Sequence, residues 1–101
     1  MSRKPVPLKE KDVKKRLEAL SEWAPNKAHT QLTKTFTLQS AVNALAFVAK
    51  VLVHAEVMEH HPTFEIAEGK VKVKLKTTEA KGLTPKDFSL AKRIDRLTVG
   101  H

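Results

Sequence analysis

A chain of 101 residues, 41% hydrophobic and 30% charged, is long enough for one domain with a thin core and too apolar to stay disordered. It has no cysteine, which excludes disulfides, thiolate metal centres and thiol nucleophiles, while a formal charge of +8 invites an anionic partner. The lysines are nevertheless spread over several predicted elements, and four Phe, one Trp and no Tyr leave few rings to stack on bases, so composition argues against nucleic acid as the main ligand.

Residues 1–7 hold two prolines and no periodicity and read as a loose tail. The basic start has no apolar run like that of a secretion signal, and the uncharged stretch Ala41 to Ala49 is too short to cross a bilayer. The expectation is a cytoplasmic protein that does not engage membranes. From Leu8 to about Ser21, Val13, Leu17 and Leu20 share one side of an amphipathic helix. Trp23 and Pro25 end it, and residues 26–30 form a turn between two short strands, with His29 a bystander there. In the strand Gln31 to Thr37, positions 32, 34 and 36 share the inner side, an imperfect pattern because one of them is Lys34.

Thr37 or Ser40 can cap the next helix, which meets no Gly or Pro before about Glu59. It carries more apolar residues than one stripe needs, so two sides should be covered, one by a sheet and one by another subunit. Beyond Pro62, the run 64–67, the turn Glu68-Gly69 and the alternating run 71–76 make a β-hairpin with its lysines in water, read as a solubility device. Thr84-Pro85-Lys86-Asp87 opens a last helix with hydroxyl, proline and carboxylate start signals, and Phe88, Ala91, Ile94 and Leu97 form its core face until it frays near Thr98. The order helix, two strands, helix, two strands, helix predicts an α+β domain over residues 1–101. Its four-stranded antiparallel sheet has three helices on one face.

His60 and His61 stand where Pro62 forces the helix to stop, a place suited to proton chemistry. As helical neighbours they would diverge by about 100°, and His54 lies too far from His61 to share an ion, so no metal is expected. The plainer reading is a histidine favoured by the helix dipole. For Asp87 it is a capping carboxylate, and for Glu56 a partner of Lys50 or His60.

Taken together, Glu56, His60-His61-Pro62, the aromatic at 64, a strand ending in Thr77, Gly82-Leu83-Thr84 and Asp87 resemble the pterin-4a-carbinolamine dehydratase family, with a similar pattern from Trp23 through Leu97. The resemblance implies loss of water from a 4a-hydroxytetrahydropterin to give the quinonoid dihydropterin, without metal or organic cofactor, in tetrahydrobiopterin recycling or biosynthesis. It implies catalytic roles for His60, His61 and Asp87, and pterin contacts from Glu56, Pro62, Thr77 and Thr78. It also implies a homodimer or homotetramer. The family's third active-site histidine corresponds here to Thr78, whose hydroxyl cannot exchange protons near neutral pH. Glu79 beside it should point the other way at a strand end. The expected alternatives are therefore a weakened enzyme, or a pterin-binding or dimerisation module like the family members that partner a homeodomain transcription factor, a role that would use an outer helix face containing Phe47 and Val51.

Overall fold

The structure, a computed structural model, describes residues 6–97. Of the expected tail only Val6 and Pro7 are described, and the fraying near Thr98 lies outside the described residues. The elements are α1 (Glu10–Leu17), β1 (Ala24–Pro25), β2 (Leu32–Thr37), α2 (Ala41–Met58), β3 (Thr63–Ala67), β4 (Lys70–Leu75) and α3 (Pro85–Leu97), with a 3₁₀ turn at Thr78–Ala80. The strands form one antiparallel sheet in the order β1-β2-β4-β3. Val71, Val73 and Leu75 of β4 are buried and join residues of all three helices in one core, so the helices cover one face of the sheet.

α1 is shorter than its periodicity suggests, for reasons visible at both ends. The N–H of Leu8 is committed to the carbonyl of Leu83 at 2.7 Å, which holds the entering chain extended. At the far end, the N–H groups of Glu18, Ala19 and Leu20 bond three residues back, tightening the helix to its stop. Lys34 does face inward, as the alternation of β2 requires. Its Nζ lies 2.9 Å from Asp95 Oδ1 and 4.9 Å from the centroid of Phe36, while the indole N–H of Trp23 donates to both oxygens of Asp95. An inward lysine is thus tolerated because α3 supplies its counter-ion.

Ser40, not Thr37, caps α2, its hydroxyl accepting from the N–H of Asn43. The helix buries Ala44, Phe47, Val48, Val51 and Ala55. Phe47 and Val51 therefore belong to the core, which overturns their assignment to an outer interface. The outward apolar residues are Val42, Leu45, Val53 and Val57, each more than 60% exposed. By length and composition α2 could cross a membrane, with 28% of the segment buried here. The hairpin turn has positive φ at both Glu68 and Gly69, the geometry that matches strand twist. A side chain at Gly69 would meet the carbonyl of Leu38 at 3.2 Å, so that turn also needs the glycine to let β2's exit pass.

Candidate functional site

The end of α2 sets the position of His60. Glu59 adopts a left-handed conformation (φ 53°, ψ 41°), its N–H bonds the carbonyl of Glu56 at 3.1 Å, and the N–H of His60 bonds that of Ala55 at 2.9 Å. This pair of reversed bonds closes the helix and turns the chain inward. His60 is consequently not helical, and its imidazole is directed into the protein, 8% exposed. The 100° argument applied to a helical histidine pair does not hold here, because the helix has ended at Met58.

Waiting for the imidazole is Asp87, fully buried at the third position of α3. His60 Nε2 lies 2.5 Å from Asp87 Oδ1. The other carboxylate oxygen accepts from the N–H of Thr84 at 2.9 Å and from the hydroxyl of Thr77 at 2.7 Å. Since Thr77 has one hydroxyl hydrogen and spends it on Asp87, the Thr84 hydroxyl is the donor in the 2.8 Å Thr77–Thr84 contact. Every polar group of the cluster is thereby satisfied, as burial demands. A carboxylate can only accept, so Nε2 carries its hydrogen and Nδ1 is the nitrogen left to exchange protons. Nδ1 makes no bond among the described residues and is not a buried orphan, so it opens to solvent.

The loop between β4 and α3 completes the arrangement. β4 ends at Leu75 rather than at Thr77, which instead forms an isolated bridge with Gly82. Pro7 packs on that loop so closely that a Cβ at Gly82 would lie 2.8 Å from the Pro7 Cβ. Thr78 and Glu79 lie in the 3₁₀ turn, both exposed, so strand alternation does not turn Glu79 away as the sequence pattern implied.

Of the expected site residues, then, His60, Thr77 and Asp87 are in one hydrogen-bonded cluster. Glu56, His61 and Thr78 are exposed, Pro62 is half-buried, and none of these four contributes to the cluster's hydrogen bonds. Glu56 does not pair with His60, whose partner is Asp87. The sequence offers Thr84 as a helix cap and as part of the Gly82-Leu83-Thr84 motif, without a site role of its own. Its participation was signalled by the Thr-Pro-x-Asp spacing, which brings a third-position carboxylate back to the cap. Among the described residues no three His, Asp or Glu side chains converge as metal ligands. A cleft of about 720 Å³ bounded by Lys34, Phe36, Asn43, Phe47 and Lys50 shares no residue with the cluster. Its Lys34 is already paired with Asp95, whereas the cluster holds a buried histidine–carboxylate pair.

A sequence model of the family described as "Pterin 4 alpha carbinolamine dehydratase" matches residues 6–97. Two relatives carry the provisional name pterin-4-alpha-carbinolamine dehydratase. One, from Aquifex aeolicus, is 41% identical over 90 residues, 89% of either chain. The other, from Roseiflexus sp. strain RS-1, is 40% identical over 89% of this chain and 95% of its own. Among solved structures, a Brucella melitensis protein described as a transcriptional coactivator/pterin dehydratase superposes with a TM-score of 0.85 at 27% identity, covering 90% of this chain and 97% of that one. A pterin dehydratase-like RuBisCO assembly factor of the α-carboxysome shares the fold, with a TM-score of 0.67 at 21% identity, covering 80% and 94%.

Proposed function

The chain belongs to the pterin 4 alpha carbinolamine dehydratase family, and from that premise we propose that it acts as a single-domain hydro-lyase. It removes water from a 4a-hydroxytetrahydropterin to leave the quinonoid dihydropterin, as part of tetrahydrobiopterin turnover. The observation that carries this reading is the buried His60–Asp87 pair, which holds one imidazole nitrogen and leaves Nδ1 open. Protonated Nδ1 gives its proton to the departing 4a hydroxyl, and the C–O bond breaks to release water. The lone pair of the adjacent ring nitrogen forms the C=N bond, and the N–H proton passes to His61. Each such transfer is worth about 10²–10⁴-fold. Glu56, Pro62 and Thr78 form the polar and apolar rim that receives the pterin, and Thr77, buried beneath it, contributes by bracing Asp87. The reading implies a cytoplasmic location and no resident cofactor.

Stopped-flow dehydration of the carbinolamine tests it, with wild type beside His60→Ala and Thr78→His. Wild-type turnover that falls by at least about 10²-fold in His60→Ala is expected, with Thr78→His faster than wild type by a similar order. No wild-type turnover, restored only by Thr78→His, would refute enzymatic function for the natural chain.

A second copy of the chain is the occupant we propose for the outward side of α2. Val42, Leu45, Val53 and Val57 are apolar and exposed there, at spacings that keep them on one stripe. A homodimer or homotetramer formed this way would bury them as a helical bundle does. The same stripe supports a second reading, a dimerisation module of coactivator type, in which the histidines are dispensable. His60→Ala separates the two, since it should remove turnover and leave assembly intact.

A further inference from the structure

The outer face of the sheet, opposite the helices, carries no function in the account above. The strand register stacks three rows across it: Thr33–Lys74–Thr63, Thr35–Lys72–Glu65 and Thr37–Lys70–Ala67. A column of lysines thus runs along the central strand β4 with a column of threonine hydroxyls beside it on β2. Lys76 continues the column one residue past the strand and is exposed. Alternate residues of a strand lie about 6.7 Å apart, and the threonines about 4.8 Å to the side. Within these rows Glu65 is the one carboxylate, and Lys74 occupies it at 2.5 Å. Although exposed, the Glu65 carboxyl is held below the ordinary glutamate range, chiefly by the hydrogen bond and charge of Lys74 and to a lesser degree by Lys72.

We propose that this face binds the phosphodiester backbone of a nucleic-acid duplex. The rows hold no aromatic ring and no large apolar side chain, so they lack the desolvated anchors on which protein interfaces depend and the stacking platforms that single strands need. Ammonium and hydroxyl groups are what phosphate backbones recruit. Over the roughly 13 Å from Lys70 to Lys74 a duplex offers about eight charges. The overall charge of +8 adds to the attraction.

The test is fluorescence anisotropy of the full chain with a 20-base-pair DNA duplex between 50 and 200 mM salt. Lys70→Gln/Lys72→Gln/Lys76→Gln removes three charges from the face and leaves the Glu65–Lys74 pair alone. Lys11→Gln/Lys15→Gln/Lys92→Gln removes three from exposed helical positions. The face variant should lose about 2.7 from the slope of log K against log salt, equivalent to about 40-fold of salt sensitivity over that range, and the helical variant should bind like wild type. Circular dichroism verifies that both variants fold. Equal slopes for wild type and face variant would overturn the proposal. So would no binding at 50 mM salt, or tighter binding of phosphatidylserine vesicles or poly-glutamate than of the duplex.

Discussion

Replacing Asp87 by asparagine changes one atom and sets two neighbours against each other. The carboxylate accepts from the N–H of Thr84 and the hydroxyl of Thr77 on one oxygen and from His60 on the other, in a fully buried position. If the new amide turns its NH₂ toward the threonine side, it meets two donors and leaves at least one buried group unpaired, at a cost of about 1–3 kcal/mol. If it turns the NH₂ toward His60, Nε2 must become the acceptor and the hydrogen moves to Nδ1. Nδ1–H then belongs to a neutral ring with Nε2 unprotonated, so giving its proton to the departing hydroxyl would leave an imidazolate, a far poorer acid than the imidazolium paired with Asp87. The second arrangement satisfies more of the backbone, so Asp87→Asn should lower urea stability by up to about 3 kcal/mol and turnover by about 10²–10⁴-fold. Stopped-flow dehydration gives the rate, and urea melts give the stability. Thr77→Val is the comparison, removing one donor to Asp87 and the acceptor of the Thr84 hydroxyl without disturbing the tautomer: about 1–3 kcal/mol of stability lost, with a much smaller loss of rate. Folded Asp87→Asn turning over within about threefold of wild type would refute both the tautomer argument and the assignment of His60.

Glu59→Gly should raise stability by about 1 kcal/mol in thermal melts, because a left-handed conformation costs a side-chain-bearing residue about that much. Lys34→Met should cost about 1–3 kcal/mol in urea by removing the ammonium that lies 2.9 Å from the part-buried Asp95 carboxylate. Under the proposed assembly through α2, wild type should sediment as an oligomer and Leu45→Asp/Val53→Asp as a monomer, without loss of helical circular dichroism, since both positions are exposed on the isolated fold. The Glu65 carboxyl, followed by NMR, should titrate below the ordinary glutamate range and move back toward it in Lys74→Gln. Because its folded value is depressed, any stability from that pair is present above the unfolded value and lost as pH falls through the folded one.

The pattern of elements was legible because each is locally consistent: the alternation of β4, the Thr-Pro start of α3 and the Gly69 turn all agree with the tertiary structure they enter. Periodicity could not see where α1 begins, since that depends on the Leu8 N–H finding Leu83 across the fold. Nor could it tell which stripe of α2 is buried, because both stripes are apolar and only the neighbours decide. The histidine pair was readable as a site, but the separation of its members was not. A left-handed Glu59 turns His60 inward and leaves His61 in water, and nothing in the side chain of glutamate announces that conformation.

Asp87 explains why the plain reading and the functional one were hard to separate. One oxygen caps α3 through Thr84 and the other holds His60, so a single buried carboxylate serves helix initiation and, under the proposed function, the positioning of the imidazole. The cost of burying that charge is offset by three donors, two of them from threonines that flank the same loop. Under the proposed function, an imidazole held this way is set by the fold's own terminus and needs no rearrangement when substrate arrives. The same economy has a consequence for variation outside the cluster. Thr78 is exposed and outside the cluster's bonds, so exchanging it for histidine can change the proton inventory of the rim while leaving the His60–Asp87 frame in place.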